Sequence, residues 1–131
     1  MVDQPKKVFI IDDDQFLLNM YSIKFSKSGF EVVTSTGAMD ALNKIRDGLV
    51  PDIVILDIVM PAMDGLELLR IVRKENLLAD AAVIVLSNQG QQADINKAKE
   101  LGITGYIVKA STIPSEVLKL VVDMYEKRKK A

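Results

Sequence analysis

Four short apolar runs divide the chain, and each one is followed at once by a polar or charged residue. They cover residues 8–11, 53–56, 83–86 and 106–108. Such runs are too short for helices and rich in β-branched residues, which is typical of strands buried on both faces of a parallel sheet. We therefore predict four buried strands. The weaker alternation of residues 31–35 predicts a fifth strand, at an edge of the sheet.

Segments with helical periodicity separate these strands. They cover residues 16–27, 38–46, 66–75 and 93–101 and the stretch from about residue 112 onward. Glycines or prolines just beyond several of the segments mark their ends. Strands that alternate with helices through short connections predict an α/β domain, in which right-handed crossovers place helices on both faces of a parallel sheet.

The first and last helices each have an apolar stripe that we assign to the core. In the first helix the stripe consists of Leu17, Met20, Tyr21 and Phe25. In the last helix it consists of Val117, Leu120, Val121 and Met124. Thr112 is the predicted N-cap of the last helix. Asp64 is the predicted N-cap of the third helix, where Glu67 has the spacing of a capping box.

The composition narrows the possible chemistry. With 131 residues and 49% hydrophobic content, the chain can form one domain with a substantial core. Cysteine and histidine are absent, which excludes disulfides, thiolate metal sites and histidine-based catalysis. A net charge of −1 and the lack of a long apolar segment indicate neither nucleic acid nor membrane as a partner, so we expect a cytoplasmic protein. The basic run at residues 127–130 suits a solvated helix end; a nucleic-acid-binding tail is the weaker alternative.

The residues that follow the buried strands carry the candidate chemistry. They are, in chain order, Asp12, Asp13, Asp57, Ser87 and Lys109. The carboxyl ends of parallel strands meet at one edge of a sheet, where α/β proteins bind ligands. Three neighbouring carboxylates repel one another unless a cation joins them, and ligands that are all oxygens favour Mg²⁺. A carboxylate beside Mg²⁺ can attack a phosphoryl group, whose oxygens Lys109 and Ser87 would bind.

Each of these residues has an ordinary structural interpretation when it is taken alone. Asp57 could be a solvated loop residue, Lys109 a surface lysine and Ser87 a turn residue. Asp13 or Asp14 could simply cap the first helix. Their joint occurrence at successive strand ends favours the phosphoryl site.

The motifs at these strand ends resemble those of the receiver domain of two-component response regulators. They are Ile-Ile-Asp-Asp-Asp at residues 10–14, Asp57, Met-Pro-Ala-Met-Asp-Gly at 60–65, Leu-Ser at 86–87 and Gly-Tyr-Ile-Val-Lys at 105–109. The resemblance covers about residues 7–127 and is similar in layout to stand-alone, chemotaxis-type (CheY-like) receivers. It implies a single receiver domain over residues 1–131, with a flavodoxin-like, doubly wound, five-stranded parallel sheet of order 2-1-3-4-5.

The resemblance also implies roles for individual residues. Asp57 would accept a phosphoryl group from a phosphohistidine on a histidine kinase or phosphotransfer protein. Lys109 and Ser87 would bind that group. Mg²⁺ would be held by Asp12, Asp13, Asp57 and the backbone carbonyl of Val59.

Ser87 and Tyr106 are the expected switch. A Ser87 hydroxyl drawn toward the phosphoryl group would let Tyr106 turn from solvent toward the core; an ordinary half-buried strand tyrosine is an equal alternative. The switched face would comprise the helix at residues 93–101, the strand of Tyr106 and the last helix, and would bind another protein or a second copy. The phosphodonor is expected to dock on the outward face of the first helix, at Gln15, Leu18, Asn19 and Ser22.

Three positions depart from the usual receiver pattern. Ala110 stands where receivers have a proline in a cis bond, and we predict a trans Lys109–Ala110 bond, because a cis bond before a non-proline residue costs about 2.5–4 kcal/mol. Val59 follows Asp57 by two residues, and Asn88 follows Ser87 directly. Both are expected to crowd hydrolytic water and to lengthen the life of the acyl phosphate.

Two other functions are alternatives at this stage. A haloacid-dehalogenase-like phosphatase would use Asp12 as nucleophile and Asp14 as general acid, but no later acidic pair completes its metal site. A degenerate receiver would act as a constitutive binding module, although its key residues are intact: Asp13, Asp57, Ser87 and Lys109. We expect a phosphoacceptor signalling domain with no enzymatic activity beyond its own phosphorylation and dephosphorylation.

Overall fold

Five parallel strands form one sheet at the centre of the molecule. They are β1 (Lys7–Ile11), β2 (Glu31–Ser35), β3 (Ile53–Leu56), β4 (Ala82–Ser87) and β5 (Gly105–Val108). Their order across the sheet is β2-β1-β3-β4-β5, with all neighbouring pairs parallel. The computed structural model describes residues 5–88, 92–109 and 112–130. The sheet and its strand order, both predicted above, are confirmed.

Helices follow the strands in strict alternation. They are α1 (Gln15–Lys27), α2 (Ala38–Arg46), α3 (Gly65–Lys74), α4 (Gln92–Glu100) and α5 (Pro114–Lys130). The first four begin and end within one residue of the predicted positions. None of the helices in the described ranges is long and apolar enough to cross a membrane.

The sheet is covered on both faces. Val8 and Ile10 of β1 belong to a cluster that includes the buried faces of α1 and α5. Phe9 and Ile11, which point the other way, pack with α2 and α3. Because successive side chains of a strand point to opposite faces, a strand covered on both sides must be apolar throughout. This double coverage explains the unbroken apolar runs.

The buried face of α1 differs from the prediction. Leu18 is only 1% exposed and packs in the same cluster as Tyr21 and Phe25, whereas Met20 is half-buried. The assignment of Leu18 to the outward, partner-docking face is therefore wrong. The chain has two adjacent leucines here, and residues 18, 21 and 25 repeat at the helical spacing as well as 17, 21 and 25 do. Packing against the sheet selects Leu18, and Leu17 turns toward the carboxyl edge of the sheet.

Two predictions about α5 also need correction. Val117, Val121 and Tyr125 form its buried stripe, while Leu120 is 39% exposed. Thr112 is not the N-cap of the helix, and its hydroxyl instead donates to the carbonyl of Val108 at 2.9 Å. The helix begins at Pro114, one residue later than a Thr112 cap would require.

The turn from β3 into α3 is fixed by Asp64 and Gly65. Asp64 is the N-cap, as predicted, and its carboxylate accepts the backbone N–H of Glu67 at 2.8 Å. The Glu67 carboxylate itself contacts Arg70. Gly65 donates its N–H to the carbonyl of Ile58 at 2.7 Å, and a Cβ at this position would collide with the backbone oxygen of Asp57. Only glycine admits this close approach.

Replacing Gly65 with alanine is expected to lower the free energy of unfolding by about 1–3 kcal/mol, since the Asp57 backbone must shift to admit the methyl group. Gly105→Ala is the matched control. Its Cβ would meet only the end of the Met124 side chain, which is flexible, so the loss should be smaller. Urea unfolding of both variants measures the difference. A loss in Gly65→Ala no greater than in Gly105→Ala would contradict this account.

Candidate functional site

Four strands end around one cleft at the carboxyl edge of the sheet. Asp12 follows β1, Asp57 follows β3, Ser87 ends β4 and Lys109 follows β5. The cleft has a volume of about 600 Å³. It is lined by Asp12, Asp13, Asp14, Leu17, Asp57, Val59, Ser87, Asn88 and Lys109. The structure thus brings together the strand-end residues that the sequence singled out.

Lys109 lies between two buried carboxylates. Its Nζ is 2.7 Å from Oδ2 of Asp12 and 3.1 Å from Oδ2 of Asp57, and its side chain is only 8% exposed. The other oxygen of each carboxylate accepts a backbone N–H: Asp14 donates to Asp12 at 2.9 Å, and Val59 donates to Asp57 at 3.3 Å. Buried charges in proteins are tolerated when they are paired and hydrogen-bonded in this way.

Burial and pairing act against each other on these groups. Burial raises the pKa of Asp12, and it outweighs the opposing effects of Lys109 and of the Asp14 N–H. Burial would lower the pKa of Lys109, but the hydrogen bonds and negative charges of Asp12 and Asp57 together outweigh it, so this pKa is raised. Lys109 is therefore held as an ammonium group, while Asp12 is a carboxylate whose charge is incompletely compensated.

The acidic residues of the cleft fit a divalent cation. Asp12, Asp13 and Asp57 each offer a carboxylate oxygen, and these three atoms lie within 4.8 Å of one another. Asp13 is exposed, whereas Asp12 and Asp57 are buried, so the group is open to solvent on one side. A small set of carboxylates beside water is the environment that Mg²⁺ prefers, since this ion retains several of its waters. The Val59 carbonyl as a further ligand stays a prediction.

The two predicted switch residues are in contact. Ser87 is fully buried, and its side chain is hydrogen-bonded to that of Tyr106. The Tyr106 ring is half-buried and packs on the cluster that includes Val85 of β4 and Ala98 of α4. Burial raises the pKa of Tyr106, as do the charges of Asp94 and Asp57. In this structure Tyr106 is therefore already turned toward α4.

The solvent side of α1 carries three of the predicted docking residues and two apolar residues that the sequence analysis did not single out. Gln15 and Asn19 are exposed and hydrogen-bonded to each other at 2.9 Å, and Ser22 is half-buried. Phe16 is 75% exposed and Ile23 is 56% exposed. Leu17, which was assigned to the core, packs against the core and also lines the cleft. The signal for Leu17 was its place three residues after Asp14, whose carboxylate caps α1 by accepting the Leu17 N–H.

The phosphatase alternative finds no support in this geometry. Asp14, its proposed general acid, is engaged as the N-cap of α1. The predicted trans bond between Lys109 and Ala110 stays a prediction, since Ala110 lies outside the described residues.

The fold and the cleft define a class of protein: a doubly wound α/β domain with an acidic, lysine-containing site at the carboxyl edge of its sheet. A family model, the response regulator receiver domain, matches residues 8–121. The chain belongs to this family of signalling domains, as the resemblance of its motifs implied.

Named relatives and solved structures agree with this assignment. The chemotaxis protein CheY of Thermotoga maritima is 37% identical over 105 residues, which cover 79% of this chain and 85% of that protein. The probable transcriptional regulator ycf27 of Guillardia theta is 35% identical over 108 residues, which cover 82% of this chain and 41% of that protein. The structure of the chemotaxis response regulator CheY4 of Vibrio cholerae matches with a TM-score of 0.83 at 27% identity, covering 92% of this chain and 99% of that one.

The relatives differ in length from this chain. The sequence spans less than half of ycf27 and of the alkaline phosphatase synthesis regulator PhoP of Bacillus subtilis, which is 28% identical over 112 residues, 86% of this chain.

Replacing Asp13 with asparagine should abolish most of the thermal stabilisation that millimolar Mg²⁺ gives, because a ligand that binds only the folded state raises its stability. Asp14→Asn is the matched control, since asparagine is as good an N-cap as aspartate and Asp14 is not in the three-carboxylate group. The measurement is the Tm of each variant with Mg²⁺ and with EDTA. Equal Mg²⁺-dependent shifts in the two variants would contradict the assignment of Asp13.

Proposed function

We propose that this domain accepts a phosphoryl group on Asp57 from a phosphohistidine of a histidine kinase or phosphotransfer protein, and that the modification switches a protein-interaction surface. The observation that carries the proposal is the position of Asp57. It is a buried carboxylate in an open cleft, with an ammonium group at 3.1 Å and two further carboxylates nearby.

The transfer step needs a nucleophile and compensation of charge. An Asp57 carboxylate oxygen attacks phosphorus, a P–O bond forms, and the P–N bond to the donor imidazole breaks with its electron pair passing to nitrogen. Lys109 donates to the phosphoryl oxygens, as does the Ser87 hydroxyl. Mg²⁺ held by Asp12, Asp13, Asp57 and the Val59 carbonyl would neutralise negative charge as the phosphoryl group arrives.

Ser87 is suited to pass the signal on. A hydroxyl has one hydrogen to donate and two lone pairs that accept. Ser87 can therefore donate to a phosphoryl oxygen while it accepts from the Tyr106 hydroxyl, with which it is already hydrogen-bonded. The added charge of roughly −1.5 to −2 would hold the hydrogen bonds from the phosphoryl group through Ser87 to Tyr106, and with them β4 and β5, in one arrangement. The surface that changes is that of α4, β5 and α5, where a partner protein or a second copy would bind.

The donor is proposed to dock beside the cleft on α1. Gln15, Asn19 and Ser22 supply polar contacts, and exposed Phe16 replaces buried Leu18 as the apolar contact. Aromatic residues are enriched where protein interfaces are buried, which favours Phe16 over the polar residues as the main contributor. Partners of this domain are proposed to be proteins, with no direct contact to nucleic acid or membrane, and its site of action is proposed to be the cytoplasm.

Asp57→Asn should abolish labelling by a small phosphodonor such as phosphoramidate in the presence of Mg²⁺, because an amide is not a nucleophile for this transfer. Asp64→Asn is the control: residue 64 lies outside the cleft, asparagine can keep the capping bond, and this variant should be labelled as the wild-type protein is. Intact-protein mass spectrometry detects the added phosphoryl group. Full labelling of Asp57→Asn, or a phosphoryl group mapped to Asp12, would overturn the proposal.

Val59 and Asn88 should lengthen the life of the acyl phosphate. Val59 is 52% exposed and lines the cleft with Asn88, so both can crowd a water that approaches Asp57. Neither Val59 nor Asn88 offers an amide or carboxylate placed to orient that water, as an amide or carboxylate at position 59 could. Val59→Asn and Val59→Glu should therefore dephosphorylate several-fold faster, and Asn88→Ala somewhat faster. Single-turnover decay of the labelled protein measures this; unchanged or slower decay would remove the explanation.

A further inference from the structure

The helix α4 is held weakly along its length. Among its nine residues Gln92–Glu100, Ala98 is the one that is buried. Near its amino end, Gln92 is hydrogen-bonded to Asn96 of the same helix at 2.8 Å. Local stability falls where little apolar surface is buried. How α4 moves then depends on what fixes its ends.

Arg73 of α3 fixes the carboxyl end. Its Nε donates to the carbonyl of Leu101 at 2.9 Å, and its Nη2 donates to the carbonyl of Gly102 at 3.2 Å. These carbonyls directly follow α4, where a helix leaves its last acceptors without partners and where a positive charge is favourable. The guanidinium thus satisfies and anchors this end of α4 from a neighbouring helix.

The same guanidinium also holds the segment that precedes β4. Its Nη1 donates to the carbonyl of Leu78 at 3.0 Å. Leu78 has a φ of 58°, in the left-handed region that non-glycine residues rarely adopt. A residue in this region persists only where its surroundings enforce it. Arg73 therefore joins the entry to β4 with the exit from α4.

The geometry points to a pivot. β4 runs from the Arg73 contacts to Ser87 at the cleft, and α4 runs back to the same contacts. We propose that Arg73 holds the carboxyl end of α4 in place, so that a change at Ser87 swings the amino end. Arg73 is thus a positioning residue: when the cleft changes, it confines the movement of α4 to the amino end of the helix. This inference rests on the proposed response of Ser87 to phosphorylated Asp57.

Arginine has the chemistry that this position needs. Its planar group presents five N–H donors in a fixed fork, so that three carbonyls on two segments can be bonded at once. A lysine would retain the charge but could not hold the three carbonyls in one rigid arrangement. Arg70, three residues earlier in α3, pairs with Glu67 at the surface and provides a matched control.

The test is amide NMR and hydrogen exchange on the full chain, with and without Mg²⁺ and beryllofluoride as the phosphoryl mimic. In the wild-type protein, the chemical shift changes that the mimic induces should be large from Ser87 into the first turn of α4 and small at Leu101 and Gly102. In Arg73→Lys the shifts should extend to these two residues, and protection of the last α4 amides should fall at least fivefold. Arg70→Lys should match the wild-type protein. In both variants, labelling of Asp57 by phosphoramidate should stay within about twofold of the wild-type level.

Several outcomes separate the inference from the proposed function. The pivot would be overturned if, in the wild-type protein, the shift changes at Leu101 and Gly102 were as large as those at the amino end of α4. This result would count even if Arg73→Lys failed to fold. Unchanged α4 protection in folded Arg73→Lys would overturn it as well. If the mimic caused no shift changes at Ser87 and Tyr106 in the wild-type protein, the proposed switch would be contradicted instead. The hydrogen-exchange data recorded without the mimic would still report on the Arg73 contacts.

Discussion

The ammonium group of Lys109, placed between the buried carboxylates of Asp12 and Asp57, is the interaction on which the site depends. Two buried carboxylates this close together need a cation nearby, and within the described residues each accepts one further hydrogen bond, from the backbone. One lysine can reach both because β1, β3 and β5 end at the same edge of the sheet. The order of the strands in the sheet is therefore what brings these three charged groups together.

In the proposed function, this arrangement prepares Asp57 for a phosphoryl group. A single ammonium shared by two carboxylates leaves negative charge that favours a divalent cation, and that cation would offset the charge of an incoming phosphoryl group. Gly65 lies directly against the backbone of Asp57, which limits how far that backbone can move. As the proposed acceptor, Asp57 is held in place, so the arrival of a phosphoryl group would be met by movement elsewhere. Ser87, Tyr106 and the weakly held α4 are the parts that can respond.

The errors in the sequence analysis have a common cause. Leu18, Leu120 and Thr112 all lie where more than one helical phase or cap satisfied the local pattern. Leu17 and Leu18 are adjacent, and either could begin the buried stripe of α1. The choice was made by the sheet and by α5, which pack on one side of α1 and leave Phe16 exposed. A helix buries the face that its neighbours cover, and its own sequence only limits the options.

The sequence by itself determined the alternation of strands and helices, the Asp64 cap and the acidic residues of the cleft. It could do so because buried strands must be apolar throughout, and because residues that follow parallel strands necessarily meet at one edge. The tertiary structure decided which atoms meet there: Lys109 with two carboxylates, and Ser87 with Tyr106. It also decided the bonds of Arg73 to carbonyls 28 and 29 residues away. Such contacts join elements that are distant along the chain, so their geometry depends on how helices and strands pack and leaves no periodic trace in the sequence.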